Sequence, residues 1–181
     1  MAIMVVKPKS LLTRFAAARD GAAAVEFALV ATPFLALLFG VLELGLVFMV
    51  STTLDSAVDG ASRKIRTGEM QTAGATASTF KTAICDRMAW LGPSCAANLH
   101  IDVRTFPKFA NIAISDVTTG GAIDDAKTTF VPGGSEAIVL VRVYYEWSLI
   151  TPMLNQGLEN TAGGKRLIAS TVTFRNEPFA S

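Results

Sequence analysis

One apolar run, Phe27 to Val50, restricts what this chain can become more than any other feature. It exceeds the roughly 20 residues a helix needs to cross a bilayer, and Thr32, Pro33 and Glu43 are its main interruptions. Directly ahead of it stands Gly21-Ala-Ala-Ala-Val-Glu26-Phe27. A carboxylate at the mouth of such a segment is costly to bury and rarely accidental. Before that lies a short leader, 1–21, with Lys7, Lys9, Arg14 and Arg19 against a single Asp20. A secretory signal places its apolar core before a small-residue cleavage site. Here the small-residue site precedes a longer apolar segment, an order that suits cutting between Gly21 and Ala22 with the helix retained. An uncleaved signal anchor is the rival reading.

The entry segment Gly21-Ala-Ala-Ala-Val-Glu-Phe-Ala-Leu-Val30, with Pro33 and Gly40-Val-Leu-Glu43-Leu behind it, resembles type IV prepilins. Within them it is most similar to the TadE-like pseudopilins of the tight-adherence (Tad/Flp) pilus system. Val141-Arg-Val-Tyr-Tyr-Glu-Trp147, Leu149-Ile-Thr-Pro-Met153 and Phe174-Arg-Asn-Glu-Pro-Phe179 also resemble that family. The resemblance implies leader removal by a prepilin peptidase. It also implies partners among other pseudopilins, the major Flp pilin and the inner-membrane Tad assembly platform, in adhesion, surface attachment and secretion. Glu26, one helical turn past the new amine of Ala22, would contact that amine on a neighbouring subunit; complementing the helix dipole is the local alternative. Phe27 belongs to the same entry motif.

Charge orients the segment. Four basic residues ahead of the span predict a cytoplasmic N-terminus and a periplasmic head. Without residues 1–21, the 16 Lys+Arg fall to 12 and the 15 Asp+Glu to 14, a sum of −2. That balance argues against nucleic acid as a partner. At 51% apolar and 17% charged, the chain falls below the roughly 25% charged of soluble domains, and membrane lipid is its expected surround.

The helix is expected to run on past the bilayer, over 22–67, about 69 Å at 1.5 Å per residue. Its membrane part is 27–50. Ser51, Thr52 and Thr53 mark the exit, Asp59 and Arg63 form an i,i+4 pair, and Gly68 supplies the C-cap. Pro33 removes a helical hydrogen bond and should kink the helix. Ala36 and Gly40 form a small-xxx-small step that lets another helix approach. Glu43 either pairs with a partner helix or sits among outer headgroups.

Residues 68–181 read as an α+β head, giving a pilin-like chain: a long N-terminal helix packed on an antiparallel sheet, with one short extra helix. A loop over 70–78 leads to an amphipathic helix, 79–91, with Phe80, Ile84, Met88 and Leu91 on one stripe. Cys85 and Cys95 flank the Gly92-Pro93 stop. Outside the cytoplasm they favour a disulfide over a metal site with His100. Period-two alternation predicts three strands. Leu99, Ile101 and Val103 point inward, with His100, Asp102 and Arg104 on the polar face, which makes the single histidine a solvated surface residue and not a catalyst. In the strongest strand, Ala137 to Trp147, residues Val139, Val141, Val143, Tyr145 and Trp147 form one apolar face, with Arg142 and Glu146 opposite. Ile168, Val172 and Phe174 point inward in the last strand, and Thr151-Pro-Met-Leu suggests a helical turn before it. The long Pro107–Ser135 connection matches no motif, and its Asp124-Asp125 pair reads as turn chemistry before calcium.

No phosphate-binding glycine loop, nucleophile elbow or second histidine stands in the sequence. No catalytic residue, cofactor or metal is expected. The expected function is a structural and assembly component, a minor pseudopilin. The alternative is a stand-alone single-pass membrane protein with a periplasmic binding head.

Overall fold

The computed structural model describes residues 21–74, 76–151 and 155–180. The leader residues 1–20 and the expected turn at 152–154 lie outside them. The first element, α1, runs Ala22–Arg66 without interruption, 45 residues, through Pro33. The chain divides into two compact units inside this helix, after Val41.

In the first unit the described chain is helix alone. Side chains such as Val25, Leu29, Phe34 and Leu37 are largely exposed, Leu37 by 73%. The stretch 22–42 spans about 31 Å at 1.5 Å per residue, the thickness of a hydrocarbon core. α1 is the one described helix long and apolar enough to cross a membrane.

The second unit is the head. From Val50 the helix has a partner: Val50, Leu54, Ala57, Val58, Ala61 and Ile65 are buried in one core. Their spacing of three and four residues puts them on one face. Thr52 and Thr53 turn their hydroxyls back to the carbonyls of Phe48 and Met49 and so stay compatible with the helix. The helix ends where Gly68 takes φ +84. Its N–H donates to Ile65 O, and a Cβ there would run into the Phe179 ring. Both facts call for glycine. No Asp59–Arg63 ion pair forms among the described residues. Arg66 instead reaches Glu177 at 3.3 Å.

The expected 70–78 loop is shorter than anticipated, because α2 (Glu69–Thr72) fills its start. Gln71 on α2 donates to Ile65 O, Pro132 O and Gly133 O, tying the helix end to the long connection. α3 (Ala77–Cys85) opens with a reciprocal Thr76/Thr79 capping box. It buries Phe80 and Ile84, then gives way to a turn and a 3-10 segment over Ala89–Leu91. The expected single helix over 79–91 is therefore two pieces with its apolar stripe kept, Met88 being fully buried. A second short helix, α4 (Ser94–Asn98), follows Gly92-Pro93.

The strands are β1 (Leu99–Phe106), β2 (Thr118–Thr119), β3 (Ala122–Ile123), β4 (Ile138–Ser148) and β5 (Lys165–Arg175). β1, β4 and β5 form an antiparallel sheet in that order, with Val103 opposite Val141 and Val141 opposite Val172. Its apolar face, Val139, Val141, Val143 and Tyr145, joins the same core as α1 and α3.

The opposite face departs from the alternation reading. Asp102 and Arg142 are buried rather than solvated. The Pro107–Ser135 connection covers them. It carries the β2–β3 hairpin over Gly120-Gly121 and a 3-10 turn at Asp125–Lys127. Residues Thr129–Val131 then run parallel to β1, with Val103 N–H donating to Thr129 O at 2.7 Å and Val131 N–H to Val103 O at 2.9 Å. Phe130 stacks obliquely on Phe80, ring centroids 5.7 Å apart. A short helix α5 (Asn155–Leu158) precedes β5.

Candidate functional site

Gly21 stands just before the first helical turn, its carbonyl accepting from Val25 N–H at 3.1 Å. Nothing lies within 4 Å of where a Cβ would sit. Ala22, Glu26, Phe27, Pro33 and Ala36 follow on the exposed helix, and Gly40 is half-buried. Glu26 makes no ion pair and accepts no hydrogen bond among the described residues. Within its own unit the entry motif is thus an open helical surface.

Glu43 differs, and it fits neither sequence expectation. It is 2% exposed. Oε1 accepts from Trp147 Nε1 at 3.2 Å. Oε2 accepts from Ile150 N–H at 3.0 Å, Thr151 N–H at 3.1 Å and the Thr151 hydroxyl at 3.1 Å. Four neutral donors surround one carboxylate without a cation. The bond to a partner helix is replaced by a bracket within the chain, closing the end of β4 onto α1. Each stranded donor in such a site costs about 1–3 kcal/mol, so the bracket fixes where the helix stops being bare. The sequence does hold a signal for it: an indole N–H and a threonine four residues apart, at the end of the strongest strand.

Cys85 at the end of α3 and Cys95 in α4 are joined, S–S 2.04 Å. The closed loop is short, and a bridge of this size contributes about 2–3 kcal/mol. Neither sulfur is then free to bind a metal with His100.

His100 is not the solvated residue the alternation suggests. Its side chain is 14% exposed, Nδ1 lies 2.7 Å from Asp125 Oδ1, and Nε2 lies 3.9 Å from Glu146. Lys165 reaches the other Glu146 oxygen at 2.7 Å.

The buried cluster under the long connection was the least visible feature in the sequence. Asp102 accepts from Arg142 at 2.7 Å, from Arg104 at 2.9 Å and from Thr129 N–H at 3.0 Å. Arg142 also donates to Ser115 O at 2.7 Å. Burial alone would raise the Asp102 pKa, but the bonds from Arg142, Arg104 and Thr129 outweigh it and hold the carboxyl below its ordinary value. Asp124 caps the 3-10 turn through Ala126 N–H and accepts from the Thr119 hydroxyl; those bonds lower its pKa. It is a turn residue in geometry, and no group of three metal-ligating side chains gathers among the described residues. Arg142 spends all three guanidinium nitrogens on Asp102 and Ser115. The cluster is a clamp on the connection.

In comparison with known proteins, residues 21–63 match the family model of TadE-like proteins. The matched stretch begins at the open Gly21 motif and ends on the buried part of α1. No curated protein and no solved structure matches the chain.

Proposed function

We propose that this chain, TadE-like over residues 21–63 and thus a component of the Tad pilus system, serves there as a minor pseudopilin rather than as an enzyme. The observation carrying this reading is the matched segment itself. A glycine with open surroundings leads a bare apolar helix of bilayer length, and Glu26-Phe27 stand at its mouth. The prepilin peptidase cuts between Gly21 and Ala22. The retained helix then anchors the chain in the inner membrane, N-terminus cytoplasmic and head periplasmic. The Cys85–Cys95 bridge supports that placement, since disulfides persist in oxidising compartments.

Packing refines the span. The burial of Glu43 and Val50 in the head supports a membrane segment centred on 22–42, the N-terminal part of the expected 27–50 span with the residues ahead of it. Pro33, Ala36 and Gly40 then lie within the span, where they shape its packing against other pilin-like helices. Glu26 binds the free amine of a neighbouring subunit and sets the register of assembly with other pseudopilins and the major Flp pilin on the assembly platform. The resulting fibre serves adhesion and surface attachment.

Intact-mass measurement of the membrane-purified chain tests the processing step. With an active prepilin peptidase it should begin at Ala22. Residues 1–21 still attached would favour a stand-alone anchored binding protein. Gly21→Val should block cutting while leaving the fold alone, because a branched Cβ meets no neighbour yet crowds the peptide bond the protease must grip.

A further inference from the structure

We propose that the free edge of β5 is a docking site for an extended, acidic segment of another polypeptide, added as a further strand of the sheet. This goes beyond the pilus role and does not depend on leader cleavage.

The phase of the β4–β5 ladder fixes which groups are free. Asn176 N–H donates to Ala137 O, and the register pairs Val172 with Val141 and Phe174 with Val139. In an antiparallel pair, hydrogen-bonded positions alternate with ones whose N–H and C=O point away. Counting back by twos from Asn176, the even-numbered residues of β5 face β4. Leu167, Ala169, Thr171 and Thr173 turn their backbone groups outward. The chain itself bears this out at one end, where the Asn160 side chain takes both the N–H and the C=O of Leu167. Ala169, Thr171 and Thr173 have no such cover among the described residues, and all three are exposed. On the other edge of the sheet, residues 129–131 occupy the outward groups of Val103. Natural edges are commonly blunted by charge, proline or a bulge. From Leu167 to Phe174 this one has no charged residue and no proline.

Beside the open edge lies a cleft of about 390 Å³. Asp59, Ser62, Arg63 and Arg66 of α1 form one wall, and Thr173 and Phe174 form another. Ser62 is buried and its hydroxyl has no partner. Arg63 makes no ion pair among the described residues, while Arg66 meets Glu177. A strand laid on β5 would send alternate side chains into this cleft. The lining sets two arginines, Arg63 and Arg66, against the single Asp59, so carboxylates there meet Arg63 and the Ser62 hydroxyl in a net positive cleft. The remaining side chains would lie beside Thr171 and Thr173, where β-branched partners pack well. A second copy of the chain is a poorer occupant. Its β5 carries Lys165, Arg166 and Arg175 and no carboxylate, so it would bring like charge to the arginines. Strand addition of this kind takes affinity from main-chain bonds and specificity from alternate side chains.

The test uses the full chain in detergent micelles and a synthetic peptide alternating glutamate with threonine or valine. Amide hydrogen exchange should slow at Ala169, Thr171 and Thr173 on peptide addition. Thr171→Pro removes an outward N–H and leaves the β4 ladder whole, a placement proline tolerates. It should weaken binding at least about tenfold by removing one main-chain bond and the room for its neighbour. Should this variant misfold, methylating the peptide's own ladder amides makes the same cut with the protein untouched. Arg63→Glu should weaken the glutamate peptide and favour its lysine counterpart. The proposal is overturned if the three amides stay unprotected, or if N-methylation leaves affinity unchanged. It is equally overturned if the lysine peptide binds the native chain as tightly. Protection that rises with protein concentration in the absence of peptide would assign the edge to a second copy instead.

Discussion

The two halves of α1 are equally helical, yet 22–42 is apolar all round while 50–66 keeps its apolar residues to one stripe, and they do opposite things with them. In 22–42 the large residues lie open, Phe27 by 75% and Leu37 by 73%. In 50–66 Leu54, Val58 and Ile65 are fully enclosed. The two glutamates repeat the contrast. Glu26 has no partner among the described residues, whereas Glu43 holds four donors. An apolar helix needs a surround. The second half finds it in its own sheet, and the first half has to find it in lipid or in other helices.

Substitution at matched leucines should show this most strongly. Leu54→Ala leaves a cavity in the head and should cost about 2–5 kcal/mol, read as a lowered unfolding midpoint in denaturant. Leu37→Ala should shift the same midpoint by less than about 0.5 kcal/mol. Equal effects would erase the distinction between the halves.

Reducing the Cys85–Cys95 bridge comes next, with an expected loss of about 2–3 kcal/mol in the head. Thiol label should enter the native chain in intact cells only after reductant is added. Rapid labelling without reductant would move the head to the cytoplasm.

The glutamates can be compared directly in the folded head. Glu43→Gln keeps the size of the side chain but sets an amide N–H against an existing donor. Thermal unfolding should report a loss of about 1–3 kcal/mol, and Trp147 fluorescence should shift as its indole loses its acceptor. Glu26→Gln should leave both readings unchanged.

Much of the head was legible in the sequence because its signals are local. Phe80, Ile84 and Met88 announce their stripe by spacing, and Val139 to Tyr145 announce their face by alternation. What stayed hidden depends on contacts far apart in the chain. Alternation tells which residues share a face and says nothing of what covers it, so Asp102 and Arg142 read only as polar-face residues until Ser115 and Thr129 are seen over them. Glu43 read as a membrane anomaly because its donors lie more than a hundred residues away. The entry motif was legible as a string of residue types, Gly21 to Phe27, that needs no tertiary contact.

The smallest expected effect is acid sensitivity localised to the head. The Asp102 carboxyl is held below its ordinary pKa by its three donors. The stability it contributes is therefore present above the unfolded-state value, near pH 4, and lost as pH falls through the lower folded value. Asp102→Asn should flatten that acid limb in a pH series of unfolding midpoints, alongside a lower plateau at neutral pH. An unchanged limb would mean that other carboxylates set it.

The central claim is that the bare half of α1 acts between subunits while the packed half acts within one. Its most direct test is piliation in cells whose only copy carries Glu26→Gln. The account predicts a chain that is cleaved before Ala22, inserted in the membrane and folded in its head, but that neither crosslinks to partner pilins nor supports pili. Normal piliation by that variant would contradict it and leave Glu26 a local complement to the helix dipole.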